Sequence, residues 1–283
     1  MTDTDTDTYS TLKVSASGGV AYAVIDNSPV NLLDAALMRD LDRFAGSMAG
    51  DDDVRVIVFD SADPEFFVAH GDMRIADDPE SFAALDLAPE QDPSLNPMMR
   101  LHERIRALPQ ITIAKLRGLA RGGGAELLSA MDMRFAAREH AGLAQPEDRM
   151  GLIPGAGGTA YLPALVGRAR ALEIILSGQL IDATTAERIG WVNRAVPSAE
   201  LDHVVDTLAH RIAALAPGVA RATAEAVDAA AASTADGLRK ADELFGRLFS
   251  APAADRLGKA ALAAGAQTRD GERRLEALID GLT

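Results

Sequence analysis

The chain has 283 residues, 48% of them hydrophobic and 25% charged, and its 28 Lys+Arg against 42 Asp+Glu give a net charge of −14. That balance argues against a general nucleic-acid binder, which needs clustered cations for phosphate, and disfavours docking on anionic lipid. The absence of cysteine removes disulfides, thiolate nucleophiles and cysteine-based metal sites.

Residues 2–7 alternate Thr and Asp, polar and acidic where a secretory signal would be basic and then apolar. They predict a disordered acidic tail over residues 1–10. No run of about 18 apolar residues is present, so no membrane span is expected, and a cytoplasmic location fits. Strands are predicted at 20–25 and 54–59, both rich in Val and Ile. Between them Leu33, Leu37, Leu41 and Phe44 recur at helical spacing. Strand–helix–strand is the unit of parallel sheet with right-handed crossovers. Residues 77–97 carry four prolines among many acidic residues and read as a long surface loop or lid. A short helix follows at 98–108, a strand at 111–115, a glycine-rich junction at 118–124, a helix to about 131 and a strand at 133–136. After the turn-rich 151–158 come helices at 169–176 and 183–190 and a strand at 191–196. The Ala-rich remainder reads as helices. The expected organisation is an α/β core over 11–205 and a helical region over 206–283.

Several familiar signatures are missing: there is no P-loop, no G-x-S-x-G elbow and no H-E-x-x-H zinc motif. No metal site is expected. Of the five histidines, His102, His140, His203 and His210 read as surface or core residues, and His70 is the exception. What remains is a glycine-and-carboxylate constellation. Gly122-Gly123-Gly124-Ala125-Glu126 opens a helix after a strand, a junction that presents unpaired N–H groups at the positive end of the helix dipole. Such groups can cradle an oxyanion, or the glycines can serve only close packing. Glu147 follows in Gln145-Pro146-Glu147. Two carboxylates beside an anion hole suit proton transfer next to a carbonyl, provided their environments set their pKa values apart.

The run from Ile111 to Leu127, with Ala114, Gly118 and Gly122-Gly123-Gly124-Ala125-Glu126, resembles the signature of the enoyl-CoA hydratase/isomerase (crotonase) superfamily. So do Asp132, Gln145-Pro146-Glu147, Gly151-Leu152-Ile153-Pro154-Gly155, Gly157-Gly158-Thr159, Leu176-Ser177-Gly178 and Gly190-Trp191-Val192-Asn193. The resemblance implies a crotonase-like α/β spiral of strand–strand–helix units with a C-terminal helical region that assembles homotrimers, often paired into hexamers. It places the oxyanion donors on the backbone of Ala69 and Gly123, with Val68, His70, Asp72, Met73 and Gly122 around the substrate. In the hydratase branch two glutamates hold one water, and their positions match Glu126 and Glu147. The implied activity is a hydro-lyase reaction of fatty acid metabolism, syn addition of water to a 2-enoyl-CoA thioester. Coenzyme A would arrive as part of the substrate, and no separate cofactor is expected. Isomerisation, hydrolysis of a β-diketone and an inert scaffold are the alternatives.

This chain departs from the pattern in three places. His70 stands where the family has glycine, Asp148-Arg149 follow Glu147 where apolar residues are usual, and residues 265–274 do not match the CoA-phosphate segment. Arg269, Arg273 and Arg274 are the candidate substitutes there. Met73, Met98 and Met99 are the expected adaptable lining of an acyl pocket.

Overall fold

The computed structural model describes residues 9–76, 78–232, 252–265 and 281. Residues 1–8 of the predicted tail and Arg269, Arg273 and Arg274 lie outside the described residues. The chain divides into a unit Met1–Ala213 and a unit Ala214–Thr283.

In the first unit, strands β1 (Leu12–Ser17), β2 (Val20–Ile25), β3 (Val56–Ser61), β5 (Ile111–Leu116), β7 (Met133–Ala137) and β10 (Arg194–Val196) form one sheet in the order β1-β2-β3-β5-β7-β10. Only β1 and β2 are antiparallel. Every residue of β3 and all but the first of β5 are buried, because both faces of this parallel sheet are covered. A second sheet, in the order β4-β6-β8-β9, is built from β4 (Phe66–Val68), β6 (Leu119–Arg121), β8 (Gly142–Ala144) and β9 (Ile181–Asp182). The chain alternates between them: β3 then β4, β5 then β6, β7 then β8. That alternation makes the spiral of strand–strand–helix units.

Helix α1 (Ala35–Met48) starts where the Asp34 side chain accepts from the Leu37 N–H, and it buries Leu37, Met38, Leu41, Phe44, Ala45 and Met48. Asp40 on its inner face accepts from the backbone N–H and hydroxyl of Ser10 and Thr11. Tyr9 packs edge-on against Phe44 beneath the Arg43 guanidinium. Tyr9 and Ser10, counted with the tail in the sequence, are therefore anchored. The segment expected as a surface loop holds helix α2 (Pro79–Ala83) and then buries Leu85, Leu87 and Ala88. Its backbone is tied down: the Ala88 N–H donates to Asp42 at 2.9 Å and the Arg100 guanidinium to the Leu85 carbonyl at 2.9 Å. Arg104 bridges Asp42 and Glu90.

Helix α3 (Pro97–Arg106), α4 (Gly123–Ser129), α5 (Gly158–Val166), α6 (Arg168–Ser177), α7 (Ala183–Ile189) and α8 (Leu201–Ala213) complete the unit. Helix α8 packs on β2, β3, β5 and β7 through Leu201, Val205 and Ala209, so this unit's sheet is covered as far as Ala213, beyond the boundary placed near 205. The described elements of the second unit are α9 (Val219–Ala232) and a helix at Pro252–Ala263.

Candidate active site

Helix α4 begins directly after β6. Its N-cap, Gly122, has φ +48 and lends no side chain to the helix end. The first N–H groups of a helix have no intrahelical acceptor, and that of Gly123 finds none among the described residues. A Cβ on Gly124 would collide with the Val68 carbonyl, so glycine lets this helix end lie against β4.

Glu126 lies in the first turn of α4 and is 1% exposed. Its Oε1 accepts from the Ala156 N–H at 2.8 Å and the Gly158 N–H at 2.7 Å. Burial pushes its pKa up, and the two amides pull in the opposite direction by favouring the carboxylate. Glu147 opens the 3₁₀ turn Glu147–Met150 after β8. A Cβ on Gly122 would stand 2.6 Å from Glu147 Oε1 and 4.0 Å from the His70 Cβ. Carboxylate, helix start and His70 thus meet at one point. Burial pushes Glu147 up to about 7; its own backbone N–H opposes this, and the charges of Glu126 and Asp148 reinforce it. The two glutamates therefore differ in what holds them: one carries two external amides, the other lies against negative charge.

The remaining predicted residues fall in distinct places. Ala69 is buried, and its N–H donates to the Val30 carbonyl at 3.2 Å, so the expected first oxyanion donor is engaged within the protein. The backbone nitrogen that Gly123 faces is that of Gly71, 3.4 Å from where a Gly123 Cβ would stand. His70 is half-buried, and its Nδ1–H donates to the Gly71 carbonyl at 2.8 Å. Val68 is fully buried and packs against Gly124. Asp72 is gripped by the Arg74 fork at 2.9–3.2 Å, which holds its carboxyl below the usual range. Beside it opens a cleft of 350 Å³ whose lining includes Met38, Arg39, Arg74, Ile75, Phe82 and Leu85. Met73 is largely exposed and does not line that cleft, and Met98 reaches within 3.9 Å of a Cβ placed on Gly71.

Sequence reasoning missed three contributors. Gln145 is fully buried and, with its amide nitrogen toward Glu147, donates to the two carboxylate oxygens at 3.1 and 3.3 Å. Its signal was its place two residues before Glu147. The Ala156 and Gly158 amides belong to a run read as a turn and as part of the family signature, with no contact to Glu126 foreseen. His102, read as a surface or core residue, is buried and touches that same run. Among the described residues no three His, Asp or Glu side chains converge to hold a metal ion, and no helix is long and apolar enough to cross a membrane.

A profile of the family described as Enoyl-CoA hydratase/isomerase matches residues 15–261. A Rhizobium meliloti protein named "Probable enoyl-CoA hydratase" is 34% identical over 244 residues, covering 86% of this chain and 91% of its own. A Streptomyces avermitilis crystal structure, provisionally assigned as an enoyl-CoA hydratase, is 48% identical with a TM-score of 0.74 and covers 97% of this chain and 98% of its own. The enoyl-CoA hydratase structure from Bacillus anthracis is 27% identical with a TM-score of 0.80, covering 88% of this chain and 95% of its own.

Proposed function

Because the chain belongs to the enoyl-CoA hydratase/isomerase family, we propose that it adds water to the double bond of a 2-enoyl-CoA thioester. The observation that carries this reading is the pair Glu126 and Glu147 at the start of α4, both with raised proton affinity and held by different partners. Isomerisation needs one carboxylate to shuttle a proton; a second, at the same helix start, is what holding and splitting a water requires. Glu126, whose Oε1 accepts two amide N–H bonds that favour the ionised form, serves as the base and takes the proton of the attacking water through its other oxygen. Glu147, titrating about 7, is protonated often enough at neutral pH to deliver a proton to Cα. The Gly123 N–H receives the thioester oxygen as it becomes an enolate. Ala69 can join it only if that oxygen displaces the Val30 carbonyl, a bond at the long end of the normal range. Coenzyme A enters as part of the substrate, and no resident cofactor is needed.

The test is the loss of enoyl-thioester absorbance with short, medium and branched 2-enoyl-CoAs. Glu126→Gln is expected to lower kcat by about 10²–10⁴-fold with the fold intact. Double-bond isomerisation is the second reading, favoured by Glu126 having one oxygen already committed to backbone amides. Activity that survives Glu126→Gln but fails in Glu147→Gln would establish it.

A homotrimer, or a dimer of trimers, completes the proposal, in a cytoplasmic enzyme of fatty acid metabolism. Its support is an apolar face on the first unit: Leu152, Ile153 and Leu176 are 64%, 69% and 65% exposed, with Met150, Leu172 and Leu180 also exposed. Arg149 of the 3₁₀ turn donates to the Ser177 carbonyl, so the turn leading to Leu152 and the end of α6 are neighbours. Ile153→Glu with Leu176→Glu is expected to shift the species seen by light scattering from trimer or larger to monomer. An unchanged mass would remove this face from the interface.

A further inference from the structure

The mechanism above leaves one buried imidazole unused. His102 lies on the inner face of α3 and is 0% exposed. Its Nδ1 stands 2.7 Å from the Ala156 carbonyl oxygen. A carbonyl only accepts, so Nδ1 carries the proton and donates. The same Ala156 gives its N–H to Glu126 Oε1 at 2.8 Å, and Gly158 gives a second N–H to that oxygen at 2.7 Å. Between the two, Gly157 adopts φ +110, the left-handed turn that lets amides on either side of it converge. His102 therefore grips one end of the turn that grips Glu126. Three elements distant in sequence meet in this chain of contacts: α3, the loop before α5, and α4.

The other ring nitrogen makes an imidazole a poor choice for mere filling. His102 Nε2 is buried without a partner among the described residues. A buried acceptor left unpaired destabilises the fold, whereas leucine would fill the space without that penalty. Burial also pushes the ring's pKa down to about 4, so it is neutral near pH 7 and acts through its hydrogen bond, not its charge.

We infer that His102 is a positioning residue for Glu126: through the Ala156 carbonyl it holds the 156–158 turn so that both amides meet one carboxylate oxygen and leave the other for the substrate water. This rests on the hydration reading for its consequence in turnover, but not for its effect on the carboxylate itself. With the turn released, Glu126 loses the donors that favour its ionised form and becomes harder to ionise. Other titratable groups set its baseline: Glu147 from the 3₁₀ turn and Tyr161 from α5 interact with it, Tyr161 donating its hydroxyl to Glu103 of α3 at 2.6 Å. Arg121 is the one charged residue on the two strands, β4 and β6, that pack on α4.

The experiment compares His102→Leu with His102→Asn, whose side-chain amide can replace the Nδ1–H donor. Two quantities are read: the pH profile of kcat for enoyl-CoA hydration, and the ionisation midpoint of Glu126 in the ligand-free protein. The midpoint comes from infrared carboxylate bands of ¹³C-glutamate protein, taken as the difference against Glu126→Gln. His102→Leu is expected to lower kcat about tenfold with KM nearly unchanged, and to move the acid limb and the infrared midpoint up by about one pH unit. His102→Asn should return both toward wild type. A folded His102→Leu protein with the wild-type profile and midpoint overturns the inference. Equal impairment of both variants with equally lowered melting temperatures also overturns it, leaving a packing role. If the wild-type protein hydrates no enoyl-CoA but the midpoint still moves in His102→Leu and returns in His102→Asn, the hydration reading fails and the positioning role stands.

Discussion

Glu147→Gln is expected to lower kcat for hydration by about 10²–10⁴-fold and, at the same time, to make the protein more stable in mildly alkaline solution. The amide keeps the shape of the carboxyl but, under the proposed hydration, has no proton to deliver to Cα. In the wild-type enzyme the same assignment makes kcat fall as pH rises through about 7, the value to which burial pushes Glu147, because the donor form is then lost. The stability effect has a definite sign. Below pH 4.5, the ordinary value, the group is neutral in both folded and unfolded chains and contributes no pH dependence. From there to about pH 7 only the unfolded chain ionises, so stability falls with rising pH, and above about 7 the loss is complete. Glu147→Gln removes that loss, so its melting temperature relative to wild type should climb between these limits and level off above them. A variant equally stable relative to wild type at pH 4 and pH 8 would mean that Glu147 ionises normally in the folded protein, and the proton donor would have to be another group.

Asp60→Ala is expected to destabilise the fold by about 3–5 kcal/mol, measured by denaturant unfolding. The Asp60 carboxylate on β3 accepts from Lys115 Nζ at 2.7 Å and from Arg117 at 3.0 and 3.1 Å. Lys115 also reaches Asp202 of α8 at 2.7 Å, and Arg117 reaches the same Asp202 oxygen. The side chains of Lys115 and Asp60 are 6% and 9% exposed, so removing one leaves a charge that water cannot repair. Asp202 is half in solvent and replaces only part of what is lost. The double variant Asp60→Leu with Lys115→Met should recover most of the stability, since well-packed apolar groups can replace a buried ion pair without loss. A single variant within 1 kcal/mol of wild type would show that Asp202 alone suffices for Lys115. Because the cluster joins α8 to β3 and β5, it also helps fasten this helix to the sheet, beside Arg55, which donates to the Ala213 carbonyl at 2.8 Å.

Strands such as Val20–Ile25 and Ile111–Leu116 could be read directly, because Val, Ile, Ala and Leu dominate both segments, interrupted only by Tyr22 in the first and by Thr112 and Lys115 in the second. The second sheet could not. Its strands Phe66–Val68, Leu119–Arg121, Gly142–Ala144 and Ile181–Asp182 are two or three residues long, too short to show any period. Helix α5 hid for a different reason: it starts in a glycine run and carries Pro163 inside. The segment 77–97 looked like solvent-facing loop because its prolines and acids conceal Leu85, Leu87 and Ala88, which tertiary contacts bury.

The site divides along the same line. Glycines 122–124 with Glu126, and Glu147 twenty-one residues on, stand in short motifs legible in the sequence, and their residue types suit an anion-stabilising, proton-transferring chemistry. The partners of Glu126 lie 30 and 32 residues away, and His102 meets Ala156 across 54. Which carboxyl keeps its proton, and whether the Ala69 amide points at a substrate or at Val30, depends on desolvation and on donors brought together by the fold. Residue types state what can react; the surroundings, which exist only once the chain has closed on itself, set the proton affinities that decide how.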